Sequence, residues 1–105
     1  MPAVLTLLMD GFEELEAVAP IDLLRRAGAE VTLAALEREH RVTGRNGLVM
    51  QAETTLDAIA GREFDMLFLP GGPGVKLLRA DPRVRTLVQQ YATAGRWIAA
   101  ICAAP

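Results

Sequence analysis

The chain has 105 residues, the size of one domain, and 51% of them are hydrophobic while only 5% are aromatic, which predicts a core of Leu, Val, Ile and Ala. Its net charge of -2, with acidic and basic residues interspersed, excludes the basic stripe of a nucleic-acid-binding protein, and the first apolar run, at 3–9, is too short to cross a membrane. The N-terminus also lacks the basic residues that precede the apolar run of an export signal, so we expect a cytoplasmic protein. One cysteine and one histidine exclude an internal disulfide and the common zinc sites, so we expect a metal-free protein with a reduced thiol.

The first predicted elements are a strand and a helix. Residues 3–9 are almost continuously apolar, which is typical of a parallel strand buried on both faces. Asp10-Gly11 forms the following turn, with Asp10 suited to cap the helix N-terminus. We place the helix at 12–27, and Gly28 ends it.

Glu16 is the unusual residue of this helix. On a helical wheel at ~100° per residue it lies in the widest apolar arc, between Phe12 and Leu23 on one side and Pro20 and Ala27 on the other. A buried acid paired with a neighbouring arginine is the structural interpretation of that position. A protonated carboxyl that donates a hydrogen bond is the functional one. Pro20 also removes the amide that would bond the Glu16 carbonyl, which predicts a kink.

The middle of the chain predicts a second strand, a hairpin and a short helix. Residues 30–36 form the strand, and the order strand, helix, strand implies a right-handed crossover and a parallel sheet. Asn46-Gly47 is a strong turn signal, so residues 42–50 are interpreted as a small hairpin. A short helix is expected at 55–60, and the single histidine is interpreted as a solvated loop residue.

A glycine-rich turn follows the next predicted strand, at 65–69. The sequence Pro-Gly-Gly-Pro-Gly at 70–74 comes directly after it, and glycines leave backbone amides uncovered for an anion or oxyanion. Tight geometry alone would also explain these glycines, and their spacing matches neither common nucleotide-binding loop. A further helix is predicted from Asp81-Pro82 to Gly95.

The last predicted strand leads to the only cysteine. Residues 97–101 are apolar, and Cys102 follows them at the carboxyl end, where ligands and chemistry gather in open parallel sheets. The small residues after Cys102 allow the sharp turn of a nucleophile elbow. A buried packing cysteine is the alternative interpretation.

Three features are therefore expected at one edge of the sheet: Glu16, the turn that contains Gly72, and Cys102. A protonated Glu16 would donate a hydrogen bond to a thiolate. Nearby backbone amides would lower the pKa of the Cys102 thiol below its ordinary value of about 8.5. Together these groups indicate an activated nucleophile beside an oxyanion pocket.

The chain resembles the ThiJ/PfpI superfamily, most closely its branch that includes the Parkinson-associated protein deglycase. Four ordered blocks carry the resemblance, at 11–16, 20–28, 69–72 and 99–105. The resemblance implies an α/β, flavodoxin-like parallel sheet sandwiched by helices, similar to class I glutamine amidotransferases, and a homodimer. It also implies that residues 1–105 are the N-terminal portion of one domain, truncated after the elbow, so we expect the natural domain to continue and to supply any catalytic histidine.

Site residues follow from the resemblance position by position. It implies that Cys102 is the nucleophilic and oxidisable cysteine, that Glu16 is its protonated partner, and that Gly72 and Ala103 are backbone donors. The further site-adjacent residues that it implies are Arg45, in the hairpin, and Gly71.

The function that the resemblance implies is a cofactor-independent glyoxalase or deglycase that acts on small 2-oxoaldehydes such as methylglyoxal. The alternative is an oxidative-stress sensor or redox-regulated chaperone that uses the same cysteine. An intracellular cysteine peptidase is less favoured, because Ala103 stands where the peptidase branch has histidine, and an amidotransferase would flank the cysteine with glycines that are absent here. We expect neither nucleic-acid nor membrane partners.

Overall fold

The computed structural model describes residues 2–101, and within them five parallel strands form one sheet flanked by helices. The elements in chain order are β1 (Ala3–Leu8), α1 (Glu14–Arg26), β2 (Glu30–Ala35), β3 (Arg41–Thr43), β4 (Val49–Gln51), β5 (Thr54–Thr55), β6 (Met66–Leu69), α2 (Val75–Ala80), α3 (Pro82–Thr93) and β7 (Trp97–Ala100). The sheet order is β5-β2-β1-β6-β7, while β3 and β4 form a separate antiparallel hairpin. The predicted flavodoxin-like α/β fold is confirmed, since β2-β1-β6-β7 is its 2-1-3-4 strand order.

Strand β1 lies at the centre of the sheet and of the core. It pairs with β2 from Ala3 to Leu8 and with β6 from Val4 to Thr6. Its side chains from Val4 to Leu8 are at most 2% exposed, so both faces of the strand are covered. Burying each Leu or Val stabilises the fold by about 1.5–3 kcal/mol, which explains why the strand is a nearly unbroken apolar run. No helix within residues 2–101 has the length and apolarity that crossing a membrane requires.

Helix α1 starts two residues later than predicted, because a different residue caps it. The Glu13 side chain accepts a hydrogen bond from Leu15 N at 3.3 Å and is the N-cap. The prediction that Asp10 caps the helix is therefore wrong, since Asp10 Oδ1 instead accepts from Thr43 N at 3.0 Å. At the other end, Gly28 follows the C-cap with φ +96°, as predicted.

The short helix predicted at 55–60 does not form. Thr54 and Thr55 pair with the end of β2, and Leu56 N continues this ladder to Ala35 O at 2.8 Å. Threonine is β-branched and favours strands, which is the physical reason that the sheet takes these residues. The chain then passes through turns over 56–61, and α2, which was not predicted separately, precedes α3.

The turn after β6 crosses the loop after β1 in backbone contact. Glu13 N donates to Gly71 O at 2.9 Å, and Gly74 N donates to Gly11 O at 3.0 Å. A Cβ atom on Gly72 would lie 2.7 Å from both Glu13 N and Gly11 O, and Gly72 has φ +107°. Glycine is thus required at position 72 for close approach as well as for conformation.

The hairpin is held against the start of α1 by one carboxylate. Glu14 Oε2 accepts from Asn46 N at 2.8 Å and from Leu48 N at 3.1 Å, while Oε1 accepts from Asn46 Nδ2 at 3.1 Å. Partial desolvation raises the pKa of the Glu14 carboxyl, but hydrogen bonds from Leu48, its own amide and Asn46 outweigh this effect and hold the pKa below its ordinary 4.5. Gly44 lies against the same carboxylate, where a Cβ atom would collide with it.

Replacing Gly72 by alanine is expected to destabilise the fold more than the same change at Gly28. Both residues have positive φ, which costs L-residues roughly 1–2 kcal/mol. A Cβ on Gly28 meets nothing within 4 Å, whereas one on Gly72 meets backbone at 2.7 Å. We therefore expect Gly72→Ala to cost about 1–3 kcal/mol more in urea unfolding. Equal losses for the two variants would contradict the close crossing.

Replacing Glu14 by glutamine is expected to lower the free energy of unfolding and to make it depend less on pH in the acidic range. Because the folded-state pKa of Glu14 is lowered, its contribution is fully present above pH 4.5 and is lost as the pH falls through the folded-state pKa. Urea unfolding of the parent should therefore lose stability below about pH 4.5, whereas Glu14→Gln should start lower and change less. The exposed Glu39, changed to Gln, is the matched control and should follow the parent.

Candidate active site

The candidate site lies at the carboxyl edge of the sheet, where the ends of β1, β6 and β7 come together. Leu69 and Ala100 are paired in register, so Pro70 and Ile101 leave the sheet at the same level. Ile101 N donates to Leu69 O at 3.2 Å, which extends the pairing one residue beyond β7. The predicted Cys102 and Ala103 lie outside the described residues and follow Ile101 directly in sequence.

Glu16 lies in the first turn of α1, at this same edge. Its carboxyl is partly buried, and Oε1 is shielded from solvent without a hydrogen-bond partner among the described residues. The alternative of a buried acid paired with arginine is not supported, because no arginine within 2–101 bonds to Glu16. A buried polar oxygen without a partner costs about 1–3 kcal/mol, so this carboxyl is available to a further group. Helix α1 continues through Pro20, which leaves the Glu16 carbonyl without its usual donor.

The glycine turn contributes backbone to the edge. Gly71 is buried, and its carbonyl is used by Glu13 N. The Gly72 carbonyl accepts from Val75 N at 3.0 Å, but within the described part of the chain the Gly72 N–H has no acceptor. An N–H without an acceptor at the end of a parallel strand can stabilise negative charge on a reacting oxygen.

Arg45 reaches the start of α1 from the hairpin. Its backbone N donates to Phe12 O at 2.8 Å, and its Nε lies 3.9 Å from Glu13 Oε2. Half of the Arg45 side chain is exposed, so this ion pair contributes at most about 1 kcal/mol to stability. The structure therefore brings Arg45 beside the loop that leads to Glu16.

Glu13 is a further residue of this edge, and its ion pair with Arg45 was not predicted from the sequence. Its carboxylate caps α1 and faces Arg45 at the same time. Its position just before the helix indicates the capping role. The ion pair joins residues 32 positions apart, so no local signal in the sequence indicates it.

Among residues 2–101, no three His, Cys, Asp or Glu side chains cluster as a metal-binding group. The groups that the described part of the site offers are thus one partnerless carboxyl oxygen at Glu16, one backbone N–H at Gly72 and one half-exposed guanidinium at Arg45. These groups can move a proton, stabilise an oxyanion and attract an anion.

Sequence comparison finds DJ-1 homologues and deglycases that are similar to almost the whole chain. The chain is 44% identical over 96 residues to Protein DJ-1 homolog B of Arabidopsis thaliana, which covers 90% of this chain and 22% of that protein. It is 32% identical over 102 residues to Deglycase TK1284 of Thermococcus kodakarensis, covering 97% of this chain and 61% of the relative. Protein/nucleic acid deglycase 2 of Escherichia coli is 34% identical over 100 residues, or 94% and 58% of the two chains.

Solved structures agree with the sequence relatives. Oxidized Toxoplasma gondii DJ-1 superposes with a TM-score of 0.96 at 36% identity, covering 100% of this chain and 58% of that one. Drosophila melanogaster DJ-1beta gives the same TM-score of 0.96 at 36% identity and covers 99% and 56%. The chain thus spans less than two thirds of each of these relatives.

The family model described as DJ-1/PfpI matches residues 2–105, essentially the whole chain. This match confirms the resemblance that the four sequence blocks indicated, and the chain belongs to the DJ-1/PfpI family.

Proposed function

We propose that this protein is a cysteine-dependent enzyme of the deglycase or glyoxalase type, with Cys102 as nucleophile and Glu16 as acid and base. The observation that carries the proposal is the shielded, partnerless Oε1 of Glu16, at the edge where β7 leads into Cys102. Shielding a carboxyl oxygen without a hydrogen-bond partner costs free energy, which a hydrogen bond from a further group would recover. Relatives named as deglycases, in Thermococcus kodakarensis and Escherichia coli, support the reaction class.

The first step would be addition of the Cys102 thiolate to the aldehyde carbon of a small 2-oxoaldehyde such as methylglyoxal. A C–S bond forms, the carbonyl electron pair moves onto oxygen, and Glu16 gives that oxygen a proton, which yields a hemithioacetal. The Gly72 N–H, together with the amide proposed at Ala103, would stabilise the developing oxyanion. Gly71 would hold this turn through Glu13, and Arg45 would lie at the mouth of the site.

Proton transfer would then complete the reaction. The Glu16 carboxylate removes the proton from the carbon that carries sulfur, and the electron pair of that C–H bond moves through the new C=C bond onto the neighbouring carbonyl oxygen, which gives an enediolate. Glu16 then returns the proton to the neighbouring carbon, while the hydroxyl proton on the sulfur-bearing carbon passes to the enediolate oxygen, and the product is a lactoyl thioester. Water hydrolyses this thioester to lactate and releases the Cys102 thiolate. Apart from the substrate and water, all the groups in these steps belong to the protein, so the proposed reaction needs no added cofactor. A reduced thiol fits a cytoplasmic location.

An oxidation sensor is the second candidate, because one solved relative is an oxidized Toxoplasma gondii DJ-1. In that function one equivalent of a peroxide would oxidise the Cys102 thiolate to a sulfenate and a second would oxidise the sulfenate to a sulfinate, each peroxide being reduced to water or an alcohol. The Glu16 carboxyl would bind the sulfinate through a hydrogen bond. Mass spectrometry would then show an increase of about 32 Da on Cys102 at low peroxide, and this increase would be smaller in Glu16→Gln. We favour the enzymatic function over the sensor function because the enzymatic mechanism uses the Glu16 carboxyl both as acid and as base.

We expect the intact domain to form lactate from methylglyoxal, and two substitutions to remove that activity. Cys102→Ser should abolish turnover, because the hydroxyl is a far weaker nucleophile than a thiolate at neutral pH. Glu16→Gln should lower kcat about 100- to 10,000-fold, since it retains a hydrogen-bond donor and loses proton transfer. The exposed Glu30, changed to Gln, is the control and should leave kcat unchanged. Parent-like turnover by either site variant would refute the proposed mechanism.

We also propose that α1 and the hairpin form a homodimer interface. Both elements expose large apolar side chains, which a chain in isolation would leave in water: Leu15, Val18, Leu23, Leu48 and Val49. Leu15 is 75% exposed although it lies one residue from the carboxylate that holds the hairpin. An interface there would cover both elements together.

Light scattering of the intact domain is expected to give the mass of a dimer, and Leu15→Glu is expected to reduce it to that of a monomer. The charge would otherwise be buried without a partner, which strongly disfavours association. Leu77→Glu, on the exposed side of α2, is the matched control and should stay dimeric. A monomeric parent, or a dimeric Leu15→Glu variant, would count against this interface.

A further inference from the structure

Two oppositely charged residues lie where three segments meet at the carboxyl edge of the sheet. Glu13 N donates to Gly71 O at 2.9 Å, and the backbone N of Arg45 donates to Phe12 O at 2.8 Å. The start of α1 is thus held between the glycine turn and the hairpin. We call the side chains of Glu13 and Arg45 the charged pair.

The charged pair is loose on one side and fixed on the other. Arg45 Nε lies 3.9 Å from Glu13 Oε2, which is too far for a hydrogen bond but close enough for the two charges to compensate each other. Glu13 Oε1 accepts from Leu15 N at 3.3 Å, so this carboxylate is also held as the helix cap. The Arg45 guanidinium donates no hydrogen bond to any of residues 2–101, so Glu13 is its one partner in that part of the chain.

The surface around the charged pair has an excess of negative charge. The segments 10–14 and 43–46 together carry three carboxylates and one guanidinium. Hydrogen bonds of 3.0 and 2.8 Å join the two segments, so their charges share one surface. An anion that approaches this surface meets a negative field, and Glu13 compensates the one positive charge that would attract it.

This surface adjoins the residue that precedes the cysteine. Ile101 N donates to Leu69 O at 3.2 Å, and Cys102 follows Ile101 directly in the chain. Gly71, two residues beyond Leu69, accepts from Glu13 N. One short turn therefore separates the charged pair from the end of the last strand. Exposed charges act over about 10 Å at 0.1 M ionic strength, so the charged pair influences reagents that reach this end of the sheet.

We propose that Glu13 determines the charge selectivity of the candidate site. By neutralising Arg45, it makes Cys102 react with uncharged electrophiles in preference to anionic ones. The inference rests on the proposed function for the role of Cys102 as nucleophile, and it narrows the substrate class to 2-oxoaldehydes without a carboxylate or phosphate group. Glu13 acts through its charge and is therefore a specificity-determining residue rather than a catalytic one.

The test compares alkylation of Cys102 in the intact domain by iodoacetate, which is an anion, and by iodoacetamide, its neutral analogue. In both reactions the thiolate displaces iodide, so that a C–S bond forms and a C–I bond breaks. Mass spectrometry of the peptide that contains Cys102 gives the two rate constants. Their ratio is the readout, because a change in the pKa of the thiol alters both rates equally and cancels.

Glu13→Gln is expected to raise the ratio of the iodoacetate to the iodoacetamide rate constant about 3- to 10-fold, because it leaves the Arg45 charge without compensation. It keeps a side-chain oxygen that can cap the helix. Arg45→Gln is expected to lower the ratio about 2- to 5-fold, because it leaves the Glu13 charge without compensation. Glu30→Gln removes the same charge at an exposed position at the start of β2, on the opposite edge of the sheet, and should keep the parent's ratio.

Four results would overturn the proposal. They are an unchanged ratio in Glu13→Gln, the same rise in Glu30→Gln, shifts of the same sign in Glu13→Gln and Arg45→Gln, and no alkylation of Cys102 by either reagent. If Glu13→Gln does not fold, the fall in the ratio expected for Arg45→Gln decides the matter, since that side chain is half exposed.

Lactate formation from methylglyoxal tests the proposed function separately, because alkylation of a thiol requires no proton transfer by Glu16. The expected shifts without lactate formation would support the charge selectivity and refute the enzyme. Lactate formation with an unchanged ratio would refute the charge selectivity alone.

Discussion

The close crossing of the loop at 10–13 and the turn at 70–74 is the constraint on which the rest of the candidate site depends. Two backbone hydrogen bonds join these segments, and a side chain at Gly72 would contact Gly11 O and Glu13 N at 2.7 Å. The crossing fixes the start of α1 relative to the end of β6. It therefore sets where Glu16 and the Gly72 N–H lie at the edge to which β7 leads, and small shifts of this kind have large effects on reactivity.

Three acidic residues within one turn of α1 have different roles, because their surroundings differ. Glu13 caps the helix and faces Arg45 across 3.9 Å, in a position that solvent reaches. Glu14 accepts three hydrogen bonds from the hairpin and so attaches it to the helix. Glu16 alone has a shielded oxygen without a partner among the described residues. All three residues are glutamates, so their surroundings decide which carboxyl stabilises the fold and which is available to take part in a reaction.

Local signals in the sequence were enough to determine the strand β1, the end of α1 at Gly28, the hairpin turn at Asn46-Gly47 and the start of α3 at Asp81-Pro82, because each depends on neighbouring residues. The apolar wheel position of Glu16 likewise indicated its unusual environment in advance. Only the tertiary structure decided that Asp10 bonds to Thr43 rather than to the helix and that Thr54–Thr55 joins the sheet. These features depend on partners distant in sequence, such as Asp10 and Thr43, 33 residues apart, and local propensity carries no information about partners that only folding brings into contact.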